Sequence, residues 1–195
     1  RLAGKVKREP ILVIMGNPPY SGHSATSNEW TNILLRTDLD GAQSYYTVDG
    51  MPLGERNPKW LQDDYVKFLR FAQWKIQKAG KGIVAMITNH AWLENPTFRG
   101  MRQSILDSFD NVWVFDLHGN SLKKEKSPDG SKDENVFDIR AGVAITILVK
   151  NPSKKVQTIE NANLFGSRER KYSELSESSI ISTGYPKVTP QSPFY

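Results

Sequence analysis

Four consecutive residues carry most of the chemical information in this sequence: Asn17-Pro18-Pro19-Tyr20, directly after an apolar run. A following proline pushes Asn17 out of the helical region into an extended one. Two successive prolines fix the backbone and remove two N–H donors. What remains is a rigid rim of acceptors, the Asn17 side-chain oxygen and the Pro18 carbonyl, with the ring of Tyr20 beside it. Such a rim suits an amino group attached to a π-system, such as the exocyclic nitrogen of adenine, whose lone pair is delocalised into its ring. Two acceptors gripping its N–H bonds favour a tetrahedral nitrogen and localise the lone pair for attack on an electrophilic methyl group. Tyr20 would stack on the flat base, and a base inside a duplex would first have to be flipped out. At average composition a given tetrapeptide arises by chance in about one chain in a thousand of this length. A simple Pro-rich turn is therefore the lesser reading.

The elements that must position this rim are visible as changes of period. Residues 11–15 (Ile, Leu, Val, Ile, Met) form a continuous apolar run, which predicts a strand buried on both faces, as in a parallel sheet. Residues 21–59 are long, polar and punctuated by Gly41, Gly50, Pro52, Gly54 and Pro58, a connection of functional or mobile type. Residues 60–78 have a helical period, with Leu61, Tyr65, Phe68, Leu69, Ala72 and Ile76 on one stripe and Gly80 and Gly82 as the stop. Residues 83–88 read as a second strand. A helix from Pro96 turns Phe98, Met101, Ile105, Leu106 and Phe109 inward, and residues 112–117 read as a third strand. A charged loop covers 118–134, and residues 143–149 form a fourth strand. Alternating strands and helices predict an α/β domain with a largely parallel sheet. The last connection lacks a helix, so the fourth strand joins antiparallel. After residue 150 the patterning decays, as in a linker.

Composition narrows the classes. With 195 residues, 38% of them hydrophobic and 24% charged, the chain can bury one core, and no apolar run reaches membrane-spanning length. The absence of cysteine excludes a disulfide scaffold, a thiolate zinc site and a cysteine nucleophile, and fits a cytoplasmic location. The net charge of +5 is compatible with nucleic acid. Its basic groups (Lys5, Lys7, Arg8; Lys123, Lys124, Lys126; Lys154, Lys155; Arg168, Arg170, Lys171) read equally as solvated loops or as a phosphate-contacting face. His23, His90 and His118 lack metal-ligand spacing and read as ordinary polar histidines, so no metal is expected. The chain starts with Arg1 and ends in a Pro-rich run, as expected for a piece of a longer protein.

Asn17-Pro18-Pro19-Tyr20 after an apolar strand resembles the catalytic motif of S-adenosylmethionine-dependent amino-methyltransferases, chiefly DNA N6-adenine methyltransferases. The resemblance continues through the Asp64-Tyr65-Val66-Lys67-Phe68-Leu69-Arg70-Phe71-Ala72 helix and the strand ending in Thr88-Asn89. It extends over the Phe98-Arg99-Gly100-Met101-Arg102 helix and the Val136-Phe137-Asp138-Ile139 segment before the last strand. Residues 52–60 are most similar to large single-chain restriction-modification enzymes that join nuclease, helicase and methyltransferase. The resemblance implies a partial Rossmann-like sheet, mostly parallel with a last antiparallel strand. It implies S-adenosyl-L-methionine as cofactor and double-stranded DNA as partner. Asn17, Pro18, Pro19 and Tyr20 would be catalytic, and Asp64 and Tyr65 would lie near the cofactor adenine. Phe137 and Asn89 would face the substrate-base pocket. For Asp64 a helix-start acid favoured by the macrodipole is the alternative, and for Phe137 it is core packing.

The departure from the family is equally definite. Its glycine-rich cofactor loop and acidic ribose-binding residue belong upstream of the catalytic motif, and residues 1–10 hold neither. Residues 1–150 thus read as the catalytic, C-terminal half of a methyltransferase domain, and 151–195 as a linker or the start of a following domain. The isolated chain is expected to be inactive, to bind the cofactor weakly, and to need the upstream half of the same polypeptide or to self-associate through the bare edge of its first strand. RNA-adenine or protein-glutamine methylation, or non-catalytic nucleic-acid binding, are the competing readings.

Overall fold

A computed structural model describes residues 10–20, 22, 24, 27–153 and 156–190. Lys5, Lys7, Arg8, His23, Lys154 and Lys155 lie outside the described residues, as do residues 191–195. The strands are β1 (Val13–Gly16), β2 (Thr47–Val48), β3 (Met51–Pro52), β4 (Gly82–Asn89), β5 (Asn111–Asp116), β6 (Val143–Lys150) and β7 (Thr158–Asn163). The α-helices are α1 (Glu29–Arg36), α2 (Asp64–Ala79), α3 (Arg99–Ser108) and α4 (Arg168–Glu177). No described helix is long and apolar enough to cross a membrane.

The main sheet has the order β1-β4-β6-β5-β7. β1 runs parallel to β4 and β7 parallel to β5, while β6 is antiparallel to both β4 and β5. The sheet is thus mostly parallel with one antiparallel strand, as the patterning predicts, and Rossmann-like, as the family resemblance implies. The reversed strand follows from the missing helix between Asp116 and Val143, since a parallel neighbour needs a crossover. The fourth predicted strand is not the last, because β7 extends the sheet from the segment whose pattern suggested a linker.

Even-numbered positions of β4, β6 and β5, among them Val84, Met86, Ala144, Leu148, Val112 and Val114, pack beneath α2 and α3. The α2 stripe buries Tyr65, Val66, Leu69, Ala72 and Ile76. Phe68, assigned to that stripe by its spacing, is exposed beside Trp30 instead. Gly80 closes the helix in the left-handed conformation. Gly82 has φ +145°, and a Cβ there would sit 2.5 Å from the Leu12 carbonyl, so only glycine lets β4 start this close to β1.

On the opposite face, Ile87, Phe115, Ile145 and Ala162 join a second cluster with Leu117, Val136 and Leu164, closed by Leu175 and Tyr185. Nearer β1 that face is open. Val13 is 57% and Met15 76% exposed, and only Ile14 of this strand packs against the core. The expectation of burial on both faces fails here because β1 is an edge strand with one described neighbour and no described element over its second face.

From residue 27 to residue 59 the polar stretch is ordered rather than open. Asn28 and Thr31 form a capping box that starts α1, and β2 and β3 make a short antiparallel hairpin. The fully buried Arg70 ties the stretch down. Its guanidinium donates to the carbonyls of Leu34, Thr37 and Ala42 and to the side chains of Gln73 and Ser104, at 2.9–3.2 Å. It also lies 4.9 Å from the Tyr45 ring centroid. Burial lowers the Arg70 pKa, and the neutral acceptors around it replace lost water.

Candidate active site at the carboxyl edge of the sheet

β1 delivers Asn17-Pro18-Pro19-Tyr20 to the carboxyl edge of the parallel strands, where open α/β sheets place their ligands. Pro18 is buried, Asn17 and Pro19 are exposed, and Tyr20 is half-buried. The Tyr20 hydroxyl lies 2.6 Å from Asn17 Oδ1 and 3.0 Å from the Ile87 carbonyl oxygen. Both are acceptors, so the single hydroxyl proton serves them in turn. Burial pushes the Tyr20 pKa up to about 12, which keeps the phenol protonated and a donor. The tyrosine thereby orients the asparagine carbonyl, whose oxygen keeps a second lone pair. Sequence reasoning assigned Tyr20 a stacking ring and missed this use of its hydroxyl.

The Tyr20 ring meets Tyr65 edge-on at 6.4 Å. Both line a cavity of about 480 Å³ together with Trp60, Phe98, Asn89 and Asn120. Tyr65 and Asn89 are thus brought together with Tyr20. Asn89 caps the short helical turn His90–Leu93 by accepting from the Ala91 N–H at 2.9 Å. Asp64 lines a different depression, of about 470 Å³, with Pro19, Trp30, Phe68 and Phe71. Phe137 lies in a third, beside Asp138 and Arg168, and packs against the second hydrophobic cluster. Adjacent residues Asp64 and Tyr65 therefore serve two cavities, and Phe137 does not line the one that holds Tyr20.

A buried polar network adjoins the main cavity. His90 follows β4, Asp116 ends β5 and His118 follows it, with ligand-capable atoms within 4.8 Å of one another. This meeting is not legible in the sequence, because β6 separates the two strands. The His90 Nδ1–H donates to Asp116 at 3.0 Å, and Asp116 also accepts from the His118 backbone N–H at 2.9 Å. Burial pushes the Asp116 pKa up, but the His90 hydrogen bond and the two histidines outweigh it and hold the carboxyl below its ordinary value. The His118 ring stacks on Phe165 at 3.8 Å, with Glu125 and Asn163 at its two nitrogens.

No family model matches the chain, and no curated protein matches it. Solved structures do. The chain superposes over 97% of its length, with a TM-score of 0.77 and 26% identity, on the ATP-dependent Type ISP restriction-modification enzyme LlaBIII bound to DNA. It superposes equally well, with 24% identity, on DrdV in its DNA complex. A nuclease-deletion mutant of the Type ISP restriction-modification enzyme LlaGI in complex with a DNA substrate mimic gives a TM-score of 0.76 and 20% identity. At these identities the last two show the fold alone. This chain spans 13% of the first and 18% of the second and third. The resemblance to restriction-modification enzymes drawn from the sequence thus has a counterpart in the fold.

Proposed function

We propose that this chain is the catalytic segment of a DNA adenine-N6 methyltransferase belonging to a restriction-modification enzyme. The observation that carries the reading is the exposed Asn17 carbonyl, oriented by the Tyr20 hydroxyl at the carboxyl edge of β1. The aromatic-walled cavity beside it and the likeness to DNA-bound restriction-modification enzymes support it further. Asn17 Oδ1 and the Pro18 carbonyl accept the two N–H bonds of the flipped adenine. Tyr20 presents its ring to the base while its hydroxyl keeps Asn17 in place. The walls formed by Tyr65 and Phe98 exclude water from the reacting nitrogen.

When bound, S-adenosylmethionine supplies a sulfonium methyl group that the amino nitrogen takes, leaving a neutral thioether and one proton for release. The residues present fit part of that molecule. The depression lined by Pro19, Trp30, Phe68 and Asp64 offers flat apolar walls and one carboxylate beside the motif, which suits an adenosine group. The family's glycine-rich loop is not among the 195 residues, so this chain contributes one wall of the cofactor site.

The test is methyl transfer by the intact protein from labelled S-adenosylmethionine to duplex DNA, with a glutamine peptide as control. N6-methyladenine is the expected product. Asn17→Ala should remove more than about nine-tenths of the activity, roughly 1.4 kcal/mol or more in the barrier, with unchanged melting because the side chain is exposed. Product on glutamine alone, or full activity of the variant, would overturn the assignment.

A further inference from the structure

Asn120 is about nine-tenths buried yet lines the same cavity as Tyr20. Its amide is unusually well fixed. Its Oδ1 accepts from the Lys123 N–H at 3.2 Å, which sets the oxygen and nitrogen ends. Its Nδ2 lies 2.9 Å from His90 Nε2. Because His90 Nδ1–H donates to Asp116, Nε2 carries the lone pair and accepts one Asn120 N–H. The backbone is held as well: the Asn120 N–H donates to Glu125 Oε2 at 2.9 Å, and its carbonyl accepts from the Glu125 N–H at 3.1 Å. Gly142 makes room for this arrangement, since a Cβ there would fall 2.5 Å from the His90 ring. One Asn120 N–H remains without a partner among the described residues, on the wall of the cavity.

We propose that Asn120 reads the target base. Its free amide N–H donates to a ring nitrogen flanking the amino group of adenine, N1 or N7, and His90 and Asp116 are positioning residues that aim it. The assignment rests on the adenine reading above and adds a contact to it. Asn17 and Pro18 hold the base only through its amino group, at one corner of the ring. A third polar contact at the ring edge, away from that corner, fixes the in-plane angle more firmly. It also requires a lone pair where a base such as guanine carries N1–H, and so adds discrimination by the N1 route.

The experiment is a chemical double-mutant cycle with the intact protein, on a duplex whose methylated adenine is replaced by 1-deazaadenine or 7-deazaadenine. Wild type should lose about tenfold in kcat/KM on one analogue. Asn120→Asp, which keeps the oxygen that takes the Lys123 N–H, should lose a similar factor on adenine and nothing further on that analogue. His90→Ala should show the same coupling at smaller amplitude, an outcome that a purely structural role would not give. Independent losses in the cycle would overturn the proposal. So would unchanged wild-type rates on both analogues, a result that needs no variant to fold. In either case a dead Asn17→Ala leaves the methyltransferase reading standing, whereas no adenine methylation by wild type overturns both.

Discussion

Lys171→Met is the substitution whose cost follows most directly from the geometry. Lys171 and Asp133 are both 0% exposed in their side chains, with Nζ 2.8 Å from Asp133 Oδ1. The ammonium also donates to the carbonyls of Leu117 at 2.7 Å and Glu134 at 2.6 Å, so its three protons meet three acceptors. Asp133 in turn accepts from the N–H groups of Gly119 at 2.6 Å and Gly166 at 2.7 Å. Methionine fills the volume but leaves a buried carboxylate without its cation and two carbonyls without a donor. Removing one partner of a buried ion pair costs about 3–5 kcal/mol, against a total stability of roughly 5–15 kcal/mol for a typical domain. At about 2–4 °C per kcal/mol for this size, melting should fall by roughly 6–20 °C. Urea unfolding followed by tryptophan fluorescence gives the free energy, and Lys171→Met combined with Asp133→Asn should recover part of it. A loss below about 1 kcal/mol for the single variant would show that the pair is hydrated in solution, and the account of how the 118–134 loop is fastened would fall with it.

The remaining predictions concern the site. Tyr20→Phe should slow methyl transfer by roughly two- to tenfold, because it removes one orienting hydrogen bond of about 0.5–1.5 kcal/mol. Tyr20→Ala should cost more, since stacking on a base is worth about 1–3 kcal/mol; single-turnover rates of the two variants measure the difference, and equal losses would assign the whole effect to the hydroxyl. The network at Asp116 predicts an acid dependence. A carboxyl held below its ordinary value of 3.8 contributes stability that is fully present above that pH and fades as pH falls through the folded value. The stability gap between wild type and Asp116→Asn should therefore shrink below pH 3.8, and a gap that widens there would contradict the direction of the shift.

The legible parts of the fold are those where a period is strong. Residues 60–78 and 83–88 announce α2 and β4 through spacing and glycine stops, and the motif after β1 is legible because proline geometry is local. β7 escaped notice because Thr158, Glu160, Asn161 and Asn163 make it polar. Its bonds are specific instead of apolar, with Trp113 Nε1 donating to Glu160 at 2.7 Å and Asn111 Nδ2 donating to Thr158 Oγ1 at 2.6 Å. The exposure of Val13 and Met15 was equally hidden, since a sequence encodes apolarity but not what lies over it. Tyr20, Tyr65 and Asn89, which the family resemblance singles out in different roles, line one cavity. The meeting of Asn120, His90 and Asp116 is not legible in the sequence, because it depends on register across three strands.

The reversed strand β6 acts as a keystone. β4 and β5 share no hydrogen bonds, and β6 alone bridges them, pairing Asn89 with Val143 and Gly82 with Lys150 on one side and Asp116 with Ala144 on the other. On a ribosome, the strand bearing the motif and β4 would therefore emerge well before the piece that joins them to β5. The sheet can close only after residue 150 is made, and such late, long-range pairing slows folding and lengthens the exposure of apolar edges. The cavity wall carrying Asn120 and the wall carrying Tyr20 belong to opposite sides of that keystone, so the pocket does not exist before the arch is complete.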